Sequence, residues 1–251
     1  MFFFITAFVM VTIALAALTL APRLEDRRVV FDVEPDRPCG FGSDMAWVAV
    51  KSGDPMAVMS AAGIATAQAS NWNSGIGTIY DAFLGQRRVF VSAPVNGWIF
   101  IAGSALPHPY GDAFVDKSTP FLIALSEQLG EVQYFASFPE IDLFAWARLS
   151  SGRLVRAFAV NDEGVLWNRG RTTREERTLG LKLFELRGVR GRKGDAGGEL
   201  MMHPTEEHVM RLAGAWSLNP TLLDSAKAPP SSGYVAEIPR SWAPERIRKS
   251  A

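Results

Sequence analysis

Apolar positions along the chain fall into three patterns. Residues 1–21 run without a charged side chain, and a helix of that length rises about 30 Å, the depth of a bilayer's hydrocarbon core. Beyond it come short apolar stretches such as Met45-Ala46-Trp47-Val48-Ala49-Val50, whose length and β-branched end suit a buried strand. The third pattern has helical spacing: Val209, Leu212, Ala213 and Trp216 recur every three or four residues, which predicts a helix with Trp216 as a core anchor.

Start and stop signals place further helices. Asp54-Pro55 opens one that Gly63 ends, and Thr119-Pro120 opens another running to about Leu129 with Gly130 behind it. Thr173 and Glu176 have capping-box spacing, predicting a helix over residues 174–179. Thr205 with Glu206 and Glu207 caps the amphipathic helix, and Asn219-Pro220 opens a shorter turn.

Strands are expected over residues 29–33, 88–92, 98–102, 142–149 and 154–160, with a further one at 164–167. Asn96-Gly97 marks a hairpin because both residues tolerate positive φ. A strand near Tyr234 can close the sheet. Neighbouring strands joined by tight turns pair antiparallel, so the expected fold class is α+β: an antiparallel, meander-like sheet with about four packed helices. The expected divisions are an anchor over residues 1–21, a juxtamembrane strand and linker over 22–42, the α+β domain over 43–228 and an extended basic tail over 229–251.

The opening run reads as a retained membrane anchor in preference to a cleaved secretory signal. No Lys or Arg precedes it, and Pro22 follows Thr19-Leu20-Ala21. Arg23, Arg27 and Arg28 all lie on its C-terminal flank, which favours a single-pass membrane protein of bacterial type with its body in the cytoplasm, the periplasm being the alternative. Cys39 is the sole cysteine and cannot form an intramolecular disulfide, which is compatible with a reducing compartment.

The chain holds 26 basic and 26 acidic side chains, a balance that does not indicate wholesale nucleic-acid binding. The sharpest charge feature is the glycine-rich run carrying Arg187, Arg190, Arg192 and Lys193. It is the candidate lipid-contact segment, at about 1 kcal/mol per basic residue near anionic headgroups, with a solvated loop as the plainer account.

Other chemistry is thinly signalled. His203 and His208 are five apart with Pro204 between them, which is not the zinc-protease spacing, and no metal or cofactor is assigned. Gly40-Phe41-Gly42 and Gly75-Ile76-Gly77 lack the strand, loop and helix frame of a nucleotide site. Ser104 follows a predicted strand, and Asp81, Asp112, Asp116, Glu140 and Asp142 are carboxylates that a fold can bring together. The resulting expectation is a membrane-anchored domain that binds a protein partner, with a membrane-tethered hydrolase built on a noncontiguous acid-base site as the alternative.

Overall fold

The computed structural model describes residues 9–12, 15, 30–109, 111, 113–181 and 204–247. The chain divides into two units, Met1–Phe31 and Asp32–Ala251. In the first, helical backbone is described at residues 9–12 and 15, with Thr12 Oγ1 donating to the Val9 carbonyl at 2.9 Å. Among the described residues no helix is long and apolar enough to cross a membrane. This corrects the expected single-pass anchor over residues 1–21, and with it the membrane location and the orientation built on it. Hydropathy counts apolar side chains, whereas a span needs an unbroken helix of about 20 residues. Most of residues 1–21 lie outside the described residues.

Among the described residues the second unit is dominated by one sheet of nine strands: β1 Met45–Lys51, β2 Ala67–Asn71, β3 Arg88–Val91, β4 Trp98–Ala102, β5 Glu131–Phe138, β6 Leu143–Ser150, β7 Arg153–Asn161, β8 Gly164–Gly170 and β9 Ser232–Glu237. Their order is β2-β9-β3-β4-β1-β5-β6-β7-β8, and every neighbouring pair is antiparallel. The described helices are short: α1 Pro55–Ala61, α2 Trp72–Tyr80, α3 Ser118–Leu129, α4 Arg174–Thr178 and α5 Glu206–Trp216.

The expected α+β meander is therefore corrected to a sheet-rich domain with few helices. Two strands outside those expected, β2 and β5, enlarge the sheet, and the strand expected near Tyr234 is β9, paired with β2 and β3. β1 inserts between β4 and β5 and β9 between β2 and β3, so a simple meander holds only from β5 to β8. The strand expected over residues 29–33 is not formed at its described positions; Asp36 instead makes an isolated bridge to Ser231.

Because strand side chains alternate, the sheet has two unlike faces. One carries small and aliphatic residues, including Val48, Ile101, Val132, Ala145 and Ala157, and forms a buried cluster with Val58 of α1, Leu122 and Leu125 of α3, and Trp242. The other is aromatic. Trp47 stacks on Phe135 at 5.3 Å, Phe135 meets Trp216 of α5 at 5.7 Å, and Trp72 of α2 packs edge-on against Phe90 at 5.2 Å.

Local grammar accounts for most elements. Asp54 Oδ1 accepts from Met56 and Ala57 at the start of α1, and Thr173 with Glu176 forms the capping box of α4. Asn96 (φ 49°) and Gly97 (φ 83°) turn β3 into β4, and Ser151 (φ 47°) and Gly152 (φ 76°) join β6 to β7.

Candidate functional site

The sheet's antiparallel order brings three connections to one end: the segment leaving β4, the 3₁₀ turn Pro139–Ile141 between β5 and β6, and the two-residue turn from β7 to β8. Between them lies a cleft of about 410 Å³, within the range of ligand sites. Its apolar lining is Pro109, Phe138, Ile141, Leu143 and Leu166, and its polar lining is Ser104, His108, Glu140, Asn161 and Asp162. Phe138 and Leu166 also pack on the aliphatic cluster, which roots the cleft in the core.

His108 forms part of the floor. Its Nε2 lies 2.8 Å from the Ser104 carbonyl and its Nδ1 2.9 Å from the Tyr134 hydroxyl. A carbonyl only accepts, so Nε2 carries the proton and Nδ1 accepts from Tyr134. The ring also meets Phe138 edge-on at 5.2 Å. Burial pushes the imidazole pKa down to about 4, against a smaller upward pull from the Ser104 carbonyl. A neutral ring fixed on both nitrogens ties the β4 exit to β5 and holds the cleft's shape.

The mouth of the cleft is different in character. Ile141 stands 59% exposed between Glu140 and Asp142, while Asp162 and Glu163 form the β7–β8 turn opposite. All four carboxylates are exposed, and among the described residues none of them is in an ion pair.

Of the described residues singled out in the sequence, Ser104 and Glu140 line the cleft, Asp142 follows Ile141 in the chain, and the others lie elsewhere. Asp81 accepts from the amides of Phe83 and Leu84, which lower its pKa, and Asp116 accepts from the Thr119 amide at the start of α3. Asp112 lies outside the described residues. His208 Nδ1 accepts from the Thr205 amide at the start of α5, while His203 is outside the described residues. Arg187, Arg190, Arg192 and Lys193, the candidate lipid-contact set, are also outside them.

Cys39 is a free, half-buried thiol whose pKa is raised by burial and then by Asp224 and Asp36, which keeps it from being a ready nucleophile. The amide of Gly40 is taken by Asp224 and that of Gly42 by Tyr80, and Gly75-Ile76-Gly77 lies inside α2, so neither glycine pair presents a phosphate cradle. A more open hollow of about 560 Å³ near Asp32 and Glu34 is lined in part by groups already engaged. Asp36 there accepts from the amides of Trp72 and Asn73, and Asn71 from the amide of Ser74.

Sequence reasoning missed His108 as a site residue in its own right, along with Asn161, Asp162 and Leu166. The meeting of Asn161 and Asp162 with Glu140 depends on pairing between strands and not on any local motif. The class defined by fold and site is a nine-stranded antiparallel domain, helices on both faces, with an acid-rimmed apolar cleft at one sheet end. Comparison with known proteins returned no matching family model, curated protein or solved structure.

Proposed function

We propose that this domain is a protein-binding module whose partner seats in the cleft between the β4 exit, the β5–β6 turn and the β7–β8 turn. The observation that carries this reading is Ile141, a large apolar side chain left mostly in water at the mouth of a cleft whose walls are already apolar. Exposed apolar surface rimmed by polar groups is typical of interaction sites.

A hydrolase is the second reading, favoured by Ser104, His108, Glu140 and Asp162 lining one cleft. Against it, proton transfer by His108 requires breaking a hydrogen bond to Tyr134 or to the Ser104 carbonyl, and a group protonating only near pH 4 is a poor acid at neutral pH.

Affinity capture with the full chain tests the proposal when each captured protein is then purified and rebound. Ile141→Lys is expected to abolish rebinding, whereas Val155→Lys, at an exposed site on β7, leaves it unchanged. Rebinding indifferent to Ile141→Lys contradicts the reading. Turnover of ester or phosphoester substrates that disappears in His108→Gln supports the hydrolase instead.

A further inference from the structure

We infer that the cleft recognises a basic, extended stretch of its protein partner, in which a Lys or Arg stands beside an apolar residue. The inference rests on the binding reading above and assigns its chemistry. Glu140 and Ile141 line one wall and Asp162 lines the other, with Asp142 and Glu163 next to them in the chain. A cation entering between them meets carboxylates from both sides.

At the opposite end of β5, Glu131 takes Arg148 at 2.8 Å and Lys51 at 3.8 Å. At the cleft mouth no cation among the described residues plays that part. An acidic ligand is repelled there, and a wholly apolar one makes no use of the rim.

Size separates a peptide from a free amine. The apolar surface continues from Phe138 and Leu166 in the cavity out to Ile141 at its mouth. A ligand filling only the cavity leaves that outer surface in water. An extended chain sets its cation between the turns and lays a neighbouring apolar side chain over Ile141, as side-chain pockets do in strand-like peptide recognition.

The test uses the full chain and two labelled peptides of equal length, one alternating Leu and Arg and one alternating Leu and Glu, with binding read by fluorescence anisotropy. The Leu-Arg peptide is expected to bind and the Leu-Glu peptide not to. The double variant Glu140→Gln/Asp162→Asn weakens the Leu-Arg complex about tenfold or more and flattens its salt dependence, while Ile141→Ser weakens it with the salt dependence retained. Equal binding of both peptides, or weakening by Ile141→Ser alone, overturns the basic ligand but leaves a binding cleft standing. Indifference to both variants overturns the cleft itself. Spermine displacing the Leu-Arg peptide at equal charge concentration assigns the site to free amines and overturns the peptide assignment.

Discussion

His108 joins the cleft's geometry to a measurable titration. Its pKa in the fold is about 4, against an ordinary value near 6.5 in the unfolded chain. The neutral ring is the form the fold holds, so this group's contribution to stability is complete above pH 6.5. It is lost as pH falls toward 4, because the unfolded chain takes up the proton first. The difference amounts to about 3 kcal/mol across that window. Ring resonances of His108 are expected to remain those of the neutral Nε2–H tautomer at pH 5, with the urea midpoint falling over the same interval. Titration of the ring near its ordinary value contradicts both the burial and the two hydrogen bonds.

Individual elements differ in how openly their residues announce them. Helix starts were legible at Asp54 for α1 and at Thr173 with Glu176 for α4, where one side chain does the capping, whereas the Asn71 cap of α2 was not read. The hairpins at Asn96-Gly97 and Ser151-Gly152 were legible because their turns require positive φ. By contrast, α2 follows β2 without a break, and its Gly75 and Gly77 argue against a helix on propensity. Tertiary packing overrides that: a Cβ at Gly75 would come within 2.2 Å of Phe90, so glycine lets the helix lie against β3.

The short α4 depends on an ion pair that no local pattern reveals. Arg156 of β7 and Glu176 of α4 are 1% and 0% exposed, with Arg156 Nε donating to Glu176 Oε1 at 2.8 Å. Trp146 Nε1 donates to the same oxygen, and the Thr173 amide to the other. Arg156→Met is expected to cost about 3–5 kcal/mol in urea unfolding, because it strands a buried carboxylate. A loss below about 1 kcal/mol contradicts the account of how α4 is held to the sheet.

At the scale of the molecule, what eluded the sequence is what long-range pairing decides. Strand order places β1 between β4 and β5, distant in sequence from both, and the cleft exists only because that order brings three connections together. Ser104 was visible after a predicted strand, and Glu140 and Asp142 as two of several carboxylates, but sequence spacing does not tell which carboxylates converge. The membrane reading was corrected because no helix among the described residues is long and apolar enough to cross a membrane. The overall charge balance was equally silent about the acidic rim, which is a local feature of two turns within a neutral chain.

Hydrogen-exchange footprinting of the full chain, alone and with a purified partner that rebinds it, tests the cleft most directly. The account predicts new protection confined to residues 104–109, 138–143 and 161–166, with the β2 and β9 side of the sheet unchanged. Protection centred elsewhere, with those three segments exchanging as in the free protein, contradicts it.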